Sequence, residues 1–96
     1  MLTGVGKNME SLEALREKID KLDELLIETL ALRFQITDQV GALKKTEKLP
    51  AVDLQREARQ EERIRKLALT AGLREDVALA VLRLIIDIVV ENHKKA

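Results

Sequence analysis

The chain has 96 residues, which suits one compact domain or one protomer of an obligate oligomer and is too short for two domains. Its 17 basic and 17 acidic residues cancel, so net charge does not favour nucleic acid or a membrane surface, and we predict neither partner. Without cysteine and with a single histidine, the chain lacks thiolate zinc sites and histidine clusters. We therefore predict no metal and no cofactor.

We expect no targeting signal at the N-terminus. The first eight residues, MLTGVGKN, lack the apolar core of a signal peptide, and no apolar run approaches the roughly 18 residues of a membrane span. We expect a cytoplasmic protein, with residues 1–8 as a disordered tail and residues 9–96 as the folded domain.

Helix formers dominate and glycine and proline are sparse, which predicts an all-α fold with one long and two shorter helices. The long helix is predicted over residues 11–46, with Asn8 or Ser11 as its N-cap. Ten positions in it follow a 3-4 spacing, and we call them the seam. The seam comprises Leu12, Leu15, Ile19, Leu22, Leu26, Thr29, Arg33, Ile36, Val40 and Leu43.

The two shorter helices follow a break at Pro50, which disfavours helical geometry in the residue before it. The second helix is predicted over residues 54–70, with Asp53 as N-cap and Gly72 as a left-handed C-terminal residue. The third is predicted to begin at Arg74 or Glu75 and to run to residue 94. Its middle, VALAVLRLIIDIVV, is apolar on nearly every face.

Helix lengths predict how the chain assembles. A helix of about 35 residues spans about 50 Å, whereas the two shorter helices each span roughly 25 to 30 Å and cannot cover it. A long apolar seam needs another apolar surface, and a symmetric partner is the simplest source. We therefore expect a homodimer in which the long helices pack together.

Several charged residues could form a site for a small polyanion. Arg33 lies on the apolar seam, where a charge needs a counter-charge or a ligand. Lys44 follows eleven residues later, on nearly the same face and about 16 Å along the helix. Asp53, Arg56 and Glu57 share one face of the second helix. Each also has a structural explanation: dipole complementarity for Lys44, capping for Asp53, and a solvated pair for Arg56 and Glu57.

Arg16 and His93 are further candidates. Arg16 is seventeen residues before Arg33, about 25 Å along the same helix, so it could reach a shared ligand only from a partner chain. A surface arginine is more often solvated or ion-paired, and His93 could be a residue of a frayed helix end. Spacing alone leaves both interpretations open.

At these residues the sequence resembles the all-helical bacterial chorismate mutase family, also called chorismate mutase type II. The stretch LEALREKIDKLDELLIETLALR, then QVGALKK, then LPAVDLQRE are similar to that family's first helix, its Gly-x-x-Lys end and the following Asp-x-x-Arg-Glu loop. The likeness extends over residues 12–93. It implies three helices per chain in an intertwined homodimer, and rearrangement of chorismate to prephenate in phenylalanine and tyrosine biosynthesis.

The resemblance also implies roles for individual residues. Arg16 resembles the arginine borrowed from the other subunit, Arg33 its partner in holding the substrate carboxylates, and Lys44 the lysine at the ether oxygen. Arg56 would be a further cation near the substrate, and Asp53 and Glu57 would bind the ring hydroxyl through main chain and side chain respectively. His93 stands where the family often has glutamine, and glutamate in some relatives, with Val89 where a small polar residue can occur. A register shifted by one residue would place Asn92 there instead of His93. Lys44, His93 and Arg33 would be the catalytic residues.

Three rivals remain open from the sequence. Isochorismate pyruvate lyase and aminochorismate mutase use the same fold, and the Asp-x-x-Arg-Glu pattern favours the chorismate mutase. A non-catalytic helical dimerisation module would need the seam and the third helix but none of the cations.

Overall fold

The computed structural model describes residues 10–95 of the chain. It contains three α-helices, α1 (Leu12–Thr46), α2 (Leu54–Ala71) and α3 (Glu75–Lys95), and no strand occurs within that range. The prediction of an all-α chain with one long and two shorter helices is confirmed. The predicted disordered tail, residues 1–8, lies outside the described residues. None of the three helices is long and apolar enough to cross a membrane.

The start of α1 is capped by a side chain. The backbone N–H of Ala14 donates to the Ser11 hydroxyl oxygen at 3.0 Å, which satisfies one of the donors that a helix N-terminus leaves free. Of the two caps that the sequence offers, Ser11 is therefore in use, whereas Asn8 is not among the described residues. The chain divides into two units between Arg33 and Phe34, and each unit is described by itself below.

The N-terminal unit presents its apolar side chains to solvent. No residue between positions 10 and 33 is buried. The five apolar seam members in this unit, Leu12, Leu15, Ile19, Leu22 and Leu26, are 43 to 64 % exposed. Scattered exposed leucines are ordinary on a protein surface, but a continuous row at helical spacing is typical of an interaction surface.

In the C-terminal unit, α1 ends in a Schellman turn without glycine. Lys48 adopts the left-handed conformation with φ 59°, and the N–H of Leu49 donates to the Lys44 carbonyl at 2.7 Å. A side chain in this region costs roughly 1 to 2 kcal/mol, which the turn's hydrogen bonds offset. The turn then leads into Pro50, where the sequence predicts the break.

The predicted caps of α2 are both confirmed. The Asp53 side chain accepts a hydrogen bond from the Arg56 N–H at 3.0 Å, and Gly72 has φ 73°. The N–H of Leu73 donates to the Ala68 carbonyl at 2.9 Å, which closes a second Schellman turn. This turn carries the chain into α3.

The core lies between α2 and α3 and is small. Its buried apolar residues are Ala68 on α2 and Ala78, Leu82 and Ile86 on α3, each at most 8 % exposed. The α3 members recur every four residues and so form one stripe of that helix. Other faces of α3 remain open, as the 62 % exposed Leu84 shows, so a single chain does not bury the apolar surface that the sequence provides.

Charged residues support the ends of these helices. Arg65 of α2 pairs with Glu75 in the first turn of α3 at 2.9 Å. Arg74 donates to Asp76 at 2.6 Å, and this side-chain hydrogen bond lowers the pKa of Asp76 below its ordinary value. Acidic residues in a first turn also complement the helix dipole.

Candidate active site

Among the described residues of the C-terminal unit, Lys44 is the lysine or arginine least exposed to solvent. It lies in the last turn of α1, is half-buried, and donates from Nζ to the Ala51 carbonyl at 3.1 Å. The Schellman turn at Lys48 reverses the chain and brings residue 51 back beside residue 44. The loop that Pro50 introduces therefore orients the ammonium group.

Lys44 and the cap of α2 line the same cleft. Its volume is about 390 Å³, and its lining residues are Lys44, Leu49, Pro50, Val52, Asp53, Leu54 and Gln55. One cation and one carboxylate thus face an otherwise largely apolar surface. Asp53 itself is engaged in capping through its side chain, as one of the two sequence interpretations expected.

His93 lies near the end of α3 and is held against α1. Its Nε2 is 2.8 Å from the carbonyl oxygen of Thr37. A carbonyl oxygen only accepts, so Nε2 carries the hydrogen, and a neutral ring then has no hydrogen on Nδ1. Nδ1 is buried and has no hydrogen-bond partner among the described residues. In this orientation Nε2 is engaged and Nδ1 is buried, so the ring must turn before His93 can donate to a ligand.

Gly41 makes this contact possible. A Cβ atom at this position would lie 2.6 Å from Cδ2 of His93, closer than any ordinary contact, and Gly41 is buried under the ring. The sequence reasoning assigned no role to Gly41 or to the Thr37 carbonyl. An isolated glycine inside a helical pattern was the available signal, because it costs stability and usually has a packing reason.

Glu57 faces a second cleft, between α2 and α3. Its side chain is only 15 % exposed and accepts a hydrogen bond from Arg83 Nη2 at 2.9 Å. This bond raises the pKa of Arg83 above its ordinary value. The cleft has a volume of about 660 Å³, and its lining residues are Val52, Leu54, Glu57, Arg83, Asp87, Val90, Glu91, Lys94 and Lys95. Val52 and Leu54 line both clefts, so the two are neighbours.

The remaining predicted site residues differ in burial. Arg56 is exposed and joins the cap of α2 through its backbone, while Val89 is half-buried on α3. Arg16 is exposed and Arg33 is half-buried, and both belong to the N-terminal unit. The C-terminal unit therefore brings together Lys44 and Asp53 in one cleft, with Glu57 in its neighbour.

The described residues thus form an all-helical protein with two neighbouring clefts, and each cleft is lined by apolar side chains together with both cations and carboxylates. The family model described as chorismate mutase type II matches residues 15–94. The chain belongs to this family, as the resemblance in its helix and loop motifs indicated. Membership supports chorismate mutase activity, which is an isomerase reaction.

Two curated relatives agree with this assignment. The chain is 28 % identical over 88 residues to a protein of Methanocaldococcus jannaschii named chorismate mutase, and the match covers 92 % of this chain and 84 % of that protein. It is 39 % identical over 75 residues to the T-protein of Haemophilus influenzae. That match covers 78 % of this chain but only 20 % of the T-protein, so the chain corresponds to about a fifth of that relative.

Proposed function

We propose that the protein rearranges chorismate to prephenate in the cytoplasm, as a step towards phenylalanine and tyrosine, and that residues 9–96 form the catalytic domain. The observation that carries the proposal is the position of Lys44, the last residue of the family's Gly-x-x-Lys motif. This lysine is half-buried, lines a cleft, and is oriented by its hydrogen bond to the Ala51 carbonyl. The relative named chorismate mutase matches nearly the whole chain, which supports the same reaction.

The reaction needs orientation and charge stabilisation rather than a nucleophile. In this intramolecular Claisen rearrangement, the bond between the ether oxygen and the ring breaks as a carbon–carbon bond forms. Cations that bind both carboxylates select the folded, reactive conformer. Lys44 stabilises negative charge that grows on the ether oxygen, and apolar walls strengthen this interaction by excluding water.

In this proposal the substrate carboxylates are bound by Arg33 of one subunit and by Arg16 from the other subunit. Arg56 adds a further positive charge. Asp53 contributes through its main chain and Glu57 through its carboxylate to binding of the ring hydroxyl. His93 and Val89, which lies one helical turn before it, line the site from α3 in this proposal. The imidazole donates to the ether oxygen after the ring turns away from the Thr37 carbonyl.

A homodimer is part of the proposal because the seam lacks a cover. Its eight apolar members, five in the N-terminal unit and three in the C-terminal unit, are 40 to 64 % exposed. Full burial of one such side chain contributes roughly 1.5 to 3 kcal/mol, so a partner that covers even half of them would provide most of the stability of an ordinary domain. Packing the long helices of two chains together is the simplest way to cover this row.

The first experiment follows the loss of chorismate absorbance with purified protein and identifies the product. We expect prephenate, and we expect Arg33→Ala to abolish its formation while circular dichroism still reports a helical protein. Arg59→Ala, an exposed arginine on α2, is the matched control and should retain activity. Pyruvate from isochorismate without prephenate would instead identify a lyase, an aminated product from aminochorismate would identify that mutase, and no turnover would leave a dimerisation module.

Shared sites are tested by mixing two inactive variants. Arg16→Ala and Lys44→Ala homodimers each lose both sites, but a mixed dimer has one site with both side chains intact. After joint unfolding and refolding in equal amounts, about a quarter of the unsubstituted activity should return, because half of the dimers are mixed and each has one of two sites. If Arg16 serves its own chain, no activity returns.

A further inference from the structure

Arg83 of α3 lies at the centre of a cluster of three carboxylates. Its Nη2 is 2.9 Å from Glu57 and 3.5 Å from Glu61, both on α2, and its Nη1 is 3.3 Å from Asp87 on α3. The guanidinium group therefore links the two helices across the cleft that Glu57 lines. Neither composition nor spacing drew attention to this residue.

The three carboxylates are not equivalent. Glu57 is 15 % exposed, against 41 % for Glu61 and 62 % for Asp87, and it receives the shortest hydrogen bond. An exposed ion pair contributes little, but a carboxylate removed from water needs a partner to remain charged. Loss of Arg83 would therefore affect Glu57 more than Glu61 or Asp87. Asp87, one helical turn along α3, contacts the guanidinium group on its other nitrogen.

We infer that Arg83 is a positioning residue that orients the Glu57 carboxylate, so that Glu57 can accept the hydrogen bond of the substrate's ring hydroxyl. This inference rests on the proposed function, in which Glu57 binds that hydroxyl. Arg83 acts through Glu57 and touches no reacting atom. A carboxylate has two oxygens, and Arg83 occupies Oε1, which fixes the plane of the group and leaves Oε2 for a ligand.

The exposure of the three carboxylates indicates where loss of Arg83 would act. Without Arg83, Glu57 would lose the donor that offsets its burial, whereas Glu61 and Asp87 are at least 41 % exposed and remain in contact with water. The loss therefore falls on Glu57. It weakens binding of the substrate and leaves the bond-breaking step itself unchanged.

The test is a double-mutant cycle on turnover of chorismate. We expect Arg83→Gln and Glu57→Gln each to raise KM about ten-fold with kcat changed less than about two-fold, because both remove ground-state and transition-state binding equally. The doubly substituted protein should be no worse than Glu57→Gln alone, because Arg83 acts only through that carboxylate. Arg65→Gln, which removes the exposed pair with Glu75, is the matched control and should change neither constant.

Each alternative outcome is distinct. If Arg83 only stabilises the fold, Arg83→Gln lowers the active fraction, so kcat falls while KM stays constant. If the losses of the two single variants multiply, Arg83 acts independently of Glu57. Either result overturns the role of Arg83 and leaves the proposed function standing. Absence of turnover by the unsubstituted protein would instead overturn the proposed function, and the positioning role with it.

Discussion

The two units of the chain bury apolar surface to very different extents. In the C-terminal unit, α2 and α3 bury Ala68, Ala78, Leu82 and Ile86 against each other. In the N-terminal unit, no residue between positions 10 and 33 is buried, although every third or fourth position is apolar. The first pattern is a small core made within one chain, and the second is an exposed apolar row that we propose a partner chain covers.

This difference shows that helical periodicity specifies a face but not what covers it. The stripe of α3 and the seam of α1 both repeat apolar residues at helical spacing, yet only the α3 stripe finds its complement within its unit. Shorter helices cannot cover the apolar face of a helix that is several turns longer, so that face needs a surface from another chain. We therefore expect substitutions in the two units to fail in different ways.

Disrupting the seam should have the largest effect of the substitutions considered, and this effect is on association of the proposed dimer. Leu22→Asp introduces a charge at a 64 % exposed position of the N-terminal unit, and in the proposed dimer it removes two buried leucines. We expect the dissociation constant of the dimer to rise roughly 100- to 10,000-fold, since each leucine contributes roughly 1.5 to 3 kcal/mol. Sedimentation at graded concentrations measures it. Leu69→Asp, at an 85 % exposed position off the seam, should leave the dimer intact.

Removing a core leucine should act on the C-terminal unit instead. Leu82 is 5 % exposed, and Leu82→Ala is expected to lower the free energy of unfolding by about 2 to 5 kcal/mol through lost burial and the cavity left behind. Urea unfolding at fixed protein concentration reports this value. Leu69→Ala should change it by less than about 0.5 kcal/mol, and equal losses from both variants would contradict the described core.

Substitution of the two adjacent lysines at the end of α1 distinguishes a role in the site from a role in helix stability. Lys44 is half-buried and bonded to the Ala51 carbonyl, whereas Lys45 is exposed, and both complement the helix dipole. Lys44→Ala should lower kcat/KM for chorismate at least about 100-fold, as expected when a preorganised donor to developing charge is lost. Lys45→Ala should stay within about two-fold. Similar kinetics for the two variants would remove Lys44 from the proposed site.

Gly41 tests whether the His93 contact is as close as described. Gly41→Ala puts a methyl group into the imidazole ring and should destabilise the protein by about 1 to 3 kcal/mol, despite the better helix propensity of alanine. In a His93→Ala background the ring is absent, so the same substitution should stabilise by about 0.5 to 1 kcal/mol. Thermal unfolding of the four proteins measures this change of sign. A stabilising effect in both backgrounds would contradict the contact.

The smallest expected effect is at the turn that orients Lys44. Lys48 has φ 59°, where glycine carries no steric cost, so Lys48→Gly should stabilise the protein by about 0.5 to 1 kcal/mol. Lys45→Gly, in the regular helix three residues earlier, should destabilise it by about 1 kcal/mol. Denaturant midpoints compare the two. Destabilisation by both would mean that residue 48 does not adopt the left-handed conformation.

Sequence reasoning was most accurate where the cause is local. The break at Pro50, the Asp53 cap and the left-handed Gly72 follow from backbone chemistry within a few residues, and the structure contains all three. It was least complete where a contact joins distant positions. No local pattern around Glu57 predicts its contact with Arg83, which lies 26 residues away in the sequence. The contact of His93 with the Thr37 carbonyl joins positions 56 residues apart.

By itself, the sequence therefore determined an all-α chain, three helices with their ends, an exposed apolar seam and the motifs of its family, because propensity, capping and periodicity act over a turn or two. Tertiary structure alone decided which polar groups meet. It paired Glu57 with Arg83 and directed Nε2 of His93 to a backbone carbonyl. Those partners depend on how helices pack, and packing is settled by side chains far apart in the chain.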